Sequence, residues 1–281
     1  MNLTAPLPYF GSKRLLAPQI VAHFGPHDTY YDLFAGSLAV LFAKEPCRQE
    51  VASEKNPDVV NLLRCLGNDP SAELLWRWTT RGPLSEVQFH LSAALLLEEW
   101  PEQYVGVPWV MRAFNFLVTS WQGPSGLAGT TAKPRFAKRN TASGGSTAAR
   151  WRSVAESIPA WHERLRNVEF RNADAFDLID DIPDREGVVV YADPPYWPGS
   201  RKGGQYRFEM SADDHHALAE RLSAFTKTRV VVSYYGCETT DRLYANWRRI
   251  NLAAPRKLNN TSGGETPTEH AGEVIYVNGA A

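Results

Sequence analysis

The chain is short of several things, and each shortage closes off a class of functions. Among its 281 residues there are three cysteines, Cys47, Cys65 and Cys237, and none stands in a C-x-x-C pair. That leaves no disulfide framework and no metal-ligand spacing, so the thiols are read as reduced, core or near-core residues of a cytosolic protein. No apolar run reaches the ~18 residues a membrane-spanning helix needs. The opening "MNLTAPLPYFGSK" lacks the apolar core of a signal peptide, so a cytoplasmic location is expected. The net charge is −1, so the molecule as a whole is not a basic nucleic-acid binder. Acids are missing locally, however. From Gln103 to Ala155 there is no Asp or Glu, while Arg112, Lys133, Arg135, Lys138, Arg139, Arg150 and Arg152 all fall there. A local excess of this kind can face phosphates, or be only a solvated loop.

What is present reads as an α/β rhythm that is interrupted and then resumes. Thr29 to Phe34 is a short strand before the small-residue turn "FAGS", and "QEVASE" is a second strand ending in Glu54. "NPDVVNLLRCLG" is a helix with Asn56 as cap, Pro57 in the first turn and Gly67 as stop. From 68 to about 164 the rhythm breaks. Two helical stretches, "SEVQFHLSAALLLEEW" and "VPWVMRAFNFLVTSW", precede a long Gly/Ser/Thr-rich stretch, residues 122–150. A loop of that length inside a compact domain is functional or disordered. After it come a strand in "VEFRNADAF", the apolar strand "GVVVYAD", and a helix in "SADDHHALAERLSAF" with Ser211 and Asp214 in capping-box spacing. The strand "RVVVSYY" follows, and "WRRINL" and "EVIYVN" are placed to close the chain as a hairpin. His215 and His216 are adjacent, point in different directions on a helix, and are read as surface residues. The expected domains are therefore a core built from 1–67 and 165–281, with 68–164 as a mostly helical insertion.

Two motifs carry chemistry. The "DLFAGSLAV" turn lets backbone approach a ligand, and Glu54 ends the next strand where an acid can bind ribose hydroxyls, though the G-x-G-x-x-G of a dinucleotide fold is absent. "YADPPYW" is more specific. It ends a buried strand, where open α/β sheets bind ligands. Its two prolines fix the backbone and remove two N–H donors. An Asp carboxylate and a Pro carbonyl then form an acceptor-only pair suited to an –NH2 group, and Tyr196 offers a flat face for a ring.

"YFGSK", "FAGS", "NADAF" and "DPPY", in this order and with a closing hairpin, resemble the Dam-like (D12 class) DNA adenine-N6 methyltransferases. The resemblance implies a Rossmann-like S-adenosylmethionine-dependent methyltransferase sheet, with 68–164 as the target-recognition lobe. It implies S-adenosylmethionine and no metal, double-stranded DNA as partner in a bacterial or phage-infected cell, and room for a restriction endonuclease acting separately. Carried over by position, Tyr9, Lys13, Phe34, Ala35, Gly36, Glu54, Asp174 and Asp193 contact the cofactor. Asp193, Pro194, Pro195 and Tyr196 form the catalytic tetrapeptide. The DNA contacts are expected from Arg112, Lys133, Arg135, Lys138, Arg139, Arg201 and Lys202, with Arg207 in the same flanking loop. One position departs. The family usually spells the turn F-x-G-x-G, and Leu38 stands at the second glycine. Leu adopts positive φ poorly, so either the turn tolerates it or cofactor affinity is reduced.

The implied reaction is direct transfer of the sulfonium methyl to a flipped-out adenine, with no covalent enzyme intermediate. Two alternatives stay open at this stage. One is an amino-methyltransferase for another planar amine, such as cytosine N4, a base in RNA or a glutamine amide. The other is a DNA-binding homologue impaired at Leu38. Asp193 favours adenine, because enzymes for the other amines often carry Ser or Asn at that position.

Overall fold

The computed structural model describes residues 3–98, 100, 108–124, 130–131, 133–137, 146–198, 206–253 and 272–278. Its strands are β1 (Thr29–Asp32), β2 (Gln49–Ser53), β3 (Val168–Arg171), β4 (Val188–Ala192), β5 (Arg229–Tyr235), β6 (Arg248–Asn251) and β7 (Glu273–Val277). They form one sheet in the order β3-β2-β1-β4-β5-β7-β6. The first five strands pair in parallel, and β7 runs antiparallel to both β5 and β6. This is the expected mixed α/β methyltransferase sheet, closed by the expected hairpin. The order reverses between β1 and β4, so the crevice at their carboxyl ends is the natural ligand site.

The helices are α1 (Ala17–Val21), α2 (Ala39–Ala43), α3 (Pro57–Gly67), α4 (Asp69–Arg81), α5 (Glu86–Leu95), α6 (Val110–Gln122), α7 (Thr147–Leu165), α8 (Ala175–Ile179), α9 (Ala212–Ser223) and α10 (Glu238–Leu243). They cover both faces of the sheet, which explains why "VVVYA" shows no polar alternation. Val189 and Tyr191 join one apolar cluster; Val188, Val190 and Ala192 join the other. Helix starts follow local chemistry. Asn56 Oδ1 accepts the Asp58 N–H at 3.1 Å ahead of α3, and Ser211 and Asp214 close the capping box of α9.

Two long helices, α4 and α7, escape the sequence reading, as do the short α1, α2, α8 and α10. In α4, Asn68 caps and Pro70 sits in the first turn, but the outer face is polar. Helix α7 begins inside the stretch expected as a loop, capped by Ser146, and runs through Pro159. Both pack on α3. As a result Phe89, Leu117, Trp151 and Trp161 from 68–164 share one core with Tyr30, Leu62 and Val189 beside the sheet. Two indoles, one from α6 and one from α7, also pin the N-terminal segment. Trp121 Nε1 donates to the Pro6 carbonyl at 2.8 Å, and Trp161 Nε1 donates to the Thr4 carbonyl at 2.6 Å.

Two expectations need correction. His215 is not on the surface. It is fully buried on the inner face of α9, where Nδ1 lies 2.8 Å from the Tyr234 hydroxyl and the ring stacks, tilted, on Trp197. His216 is the exposed member of the pair. Arg112 is not available to DNA phosphate. It lies on the inner face of α6, 3% exposed, with Nε 2.5 Å from Asp58 Oδ1 and its terminal nitrogens on Asp58 and the carbonyls of Leu96 and Glu98. The guanidinium also packs against Trp100 and Trp109. Arg112→Ala strips a buried carboxylate of its principal partner, so stability is expected to fall by about 3–5 kcal/mol in urea unfolding. The salt dependence of DNA binding should stay unchanged.

Candidate active site

The tetrapeptide sits where β4 ends. Asp193 follows Ala192 directly, and Pro194 and Pro195 carry the chain out of the sheet. Lys13 reaches it from the N-terminal segment. Its ammonium is 3% exposed and lies 2.7 Å from Asp193 Oδ1, 3.1 Å from the Gly11 carbonyl and 3.4 Å from the Tyr196 hydroxyl. Burial opposes the charge on Lys13, but the carboxylates of Asp193 and Glu273 outweigh it, and the pKa lies well above the ordinary lysine value. Ser233, from β5, donates to the same Asp193 Oδ1 at 2.8 Å. With Oδ1 taken twice, Oδ2 is the oxygen left for a substrate. Burial raises the pKa of Asp193, Glu273 adds to the rise, and Lys13 and Ser233 oppose it.

A cavity opens beside this centre. It is lined by Tyr9, Gly36, Glu54, Asp174, Asp193 and Tyr206 among others. The glycine turn forms its floor. Gly36 takes φ +46°, and a Cβ there would meet the Tyr9 ring at 3.3 Å, so the cradle is built for a residue without a side chain. Ser12 and Ser37 are 2.8 Å apart through their hydroxyls, tying the "GSK" segment to the turn. Glu54 accepts the Gly36 N–H at 3.0 Å and the Asn56 N–H at 2.9 Å. Burial raises its pKa against those two bonds. Asp174 caps α8 through the Phe176 N–H and pairs with Lys55 at 2.8 Å.

Leu38 resolves the departure noted in the sequence. It does adopt the left-handed conformation, φ 60° and ψ 23°, at the N-cap of α2. For an L-residue this costs about 1–2 kcal/mol. Its side chain turns away from the cavity into the core, 1% exposed, and burial of that size contributes about 1.5–3 kcal/mol, which offsets the strain. The cavity still meets the backbone of Gly36 and Ser37.

Two carboxylates escape the sequence reading. Asp32 ends β1 just before the glycine turn, a position like that of Asp193 at the end of β4, and that parallel was the missed signal. It is 2% exposed, lines the cavity, and accepts the Tyr30 hydroxyl on Oδ2 at 3.1 Å, while Oδ1 has no hydrogen-bond partner. Glu273 opens β7 and accepts the Tyr196 hydroxyl at 2.5 Å. Its local sequence gives no hint of this placement.

The residues present fit S-adenosylmethionine. An orphaned buried carboxylate oxygen at Asp32 suits a cationic ligand, and the Gly36 cradle and Glu54 suit a ribose. Burial, with the negative charges of Asp193 and Glu54, raises the Asp32 pKa to about 7, so Asp32 gains its charge as pH rises through that value. Affinity for the cationic donor is therefore expected to rise roughly tenfold from pH 5.5 to 7 in calorimetric titrations. Asp32→Asn should remove most of that slope.

Of the expected DNA contacts, Lys133 and Arg135 are exposed. Lys138, Arg139, Arg201 and Lys202 lie outside the described residues. Arg207 is half-exposed and reaches Asp58 Oδ2 at 3.3 Å. Among the described residues no group of His, Cys, Asp or Glu could hold a metal ion, and no helix is long and apolar enough to cross a membrane.

A search of the curated proteins found no match. The family model described as D12 class N6 adenine-specific DNA methyltransferase matches residues 9–258, a span that takes in Lys13, the glycine turn, Glu54, Asp174 and the "DPPY" tetrapeptide. That family's reaction implies DNA as substrate and S-adenosylmethionine as methyl donor. With the site assembled at the switch point of a seven-stranded methyltransferase sheet, the chain belongs to the D12 class of DNA methyltransferases and methylates the N6 amine of adenine in DNA.

Proposed function

We propose that Asp193 and the Pro194 carbonyl hold the two hydrogens of the adenine N6 amine of a base flipped out of duplex DNA. The observation that carries this reading is the double occupation of Asp193 Oδ1 by Lys13 and Ser233 at a residue that lines the cavity, which leaves Oδ2 as the oxygen for the amine. The amine lone pair is delocalised into the adenine ring. Two acceptors on its hydrogens draw the nitrogen toward tetrahedral geometry and localise that pair. S-adenosylmethionine, when bound, supplies the electrophilic methyl. Asp32 would hold a cationic part of that ligand, Glu54 its ribose hydroxyls, and Asp174 its adenine end, with Tyr9, Lys13, Phe34, Ala35 and Gly36 completing the wall.

The Tyr196 ring is only 7% exposed, with Tyr206 and Tyr235 edge-on to it at 6.2 and 6.3 Å between centroids. Stacking of the flipped base on Tyr196 therefore requires Tyr206 to give way. Tyr206 also bridges Thr130, so this displacement would reach the basic segment of the insertion. In this reading residues 68–164 serve as the target-recognition lobe of a site-specific enzyme working in the cytoplasm. A restriction endonuclease recognising the same site would be a separate protein.

Asp193→Ala is expected to abolish methyl transfer, and Asp193→Asn, which turns a donor toward the amine, to cripple it. Asp193→Ala leaves the buried Lys13 ammonium with Glu273 alone and should lower the unfolding midpoint, whereas Asp193→Asn keeps an acceptor for Lys13 and is the variant in which activity is read on well-folded protein. Methylation of duplex DNA with labelled donor measures the first effect, and near-normal turnover in both variants would remove the acceptor pair from the mechanism. For the lobe, replacing Lys133, Arg135, Lys138 and Arg139 together by Ala should weaken DNA binding across sequences. The slope of log affinity against log salt should flatten by about 0.9 per lost phosphate contact. Parallel slopes with equal affinities would make the segment a solvated loop.

A further inference from the structure

We propose that Glu273 is a positioning residue whose charge tunes the site to a cationic methyl donor. The proposal rests on the placement of Asp193 at the reacting amine argued above. Glu273 Oε1 accepts the Tyr196 hydroxyl at 2.5 Å, which fixes the ring of the tetrapeptide. Its Oε2 lies 3.7 Å from Lys13 Nζ, is buried, and has no hydrogen-bond partner. Holding a tyrosine hydroxyl needs only a neutral acceptor; a glutamine carbonyl would do it. A buried carboxylate with one oxygen left over pays a desolvation penalty that this bond alone does not explain.

The charges around Lys13 supply the explanation. One buried ammonium lies between two carboxylates, Asp193 at 2.7 Å and Glu273 at 3.7 Å. The cluster therefore carries one negative charge in excess. Without Glu273, Lys13 and Asp193 would cancel, and the centre would be neutral toward the ligand. S-adenosylmethionine and its product S-adenosylhomocysteine differ by one methyl group and one positive charge. A cluster with excess negative charge prefers the substrate form. Glu273 thus acts through Tyr196 and Lys13 and does not touch the reacting atoms. β7 runs antiparallel to β5 with Glu273 opposite Tyr235, which brings its first residue to the carboxyl edge of the parallel strands.

The test is the ratio of affinities for S-adenosylmethionine and S-adenosylhomocysteine, measured by calorimetry on the full chain without DNA. Loss of one buried unit charge from this cluster is expected to shift that ratio about tenfold. Glu273→Gln keeps an acceptor for Tyr196 and removes the charge. It is expected to weaken S-adenosylmethionine about tenfold and to change S-adenosylhomocysteine by less than about twofold. Glu273→Asp keeps the charge and withdraws the carboxylate from Tyr196. It should hold the ratio within about twofold of wild type, while kcat for DNA methylation falls. An unchanged ratio in the Gln variant, an equal loss of both ligands in that variant, or a tenfold change of ratio in the Asp variant would each overturn the proposal. The two readings stay separable because the ratio is read on wild type and the Glu273 variants without the amine substrate, whereas the acceptor pair is read from DNA methylation by the Asp193 variants.

Discussion

The contact between the Lys13 ammonium and the Asp193 carboxylate organises the site. It joins a segment near the N-terminus to the end of a central strand 180 residues later, and neither group tolerates burial alone. Because Lys13 is held, Tyr9 and Ser12 are drawn over the glycine turn. Asp193 Oδ1 is filled by Lys13 and Ser233, while the residue lines the cavity. The Lys13–Asp193 pair gives Glu273 and Tyr196 a fixed charge to pack against. A neutral residue at either position would leave the other as an uncompensated buried charge and would loosen the wall shared by cofactor and substrate.

Residues 68–164 are tied to this centre at several points. Trp121 and Trp161 reach back to the backbone of Pro6 and Thr4, so the segment carrying Lys13 is positioned partly by 68–164. Asp58, on the first turn of α3, receives Arg112 from α6 and Arg207 from the loop after the tetrapeptide. One buried carboxylate thus joins residues of 68–164 to the segment that lines the cavity. The Trp197 ring, locked on buried His215, anchors the other side of the tetrapeptide to α9.

The glycine turn shows how a fold absorbs a residue that local rules disfavour. Leu38 pays left-handed strain, yet its side chain fills core volume that a glycine would leave empty. The ligand-facing backbone of Gly36 and Ser37 is preserved because strain and burial fall on the core side of the turn. The departure from the family spelling is therefore a packing substitution on this chain and not a lesion in the cavity.

Much of this was legible in the residues. Asn56-Pro57, the Ser211–Asp214 box, the apolar run of β4 and the closing hairpin rest on local propensity and periodicity, which act within a few residues. The turn, Glu54, Asp174 and the tetrapeptide were legible because each stands at a strand end, and the strand ends were themselves visible. Arg112 and His215 were misjudged for a common reason. Composition says that a residue is polar, but burial is set by which elements pack on its face, and α3, α6 and β5 are distant in the chain. The extent of α4 and α7 was hidden because their helicity depends on packing against α3 more than on their own mixed faces. Glu273 was invisible for a topological reason. Only the antiparallel insertion of β7 between β5 and β6 brings the start of the last strand to the carboxyl edge, where it meets a tyrosine and a lysine from opposite ends of the chain.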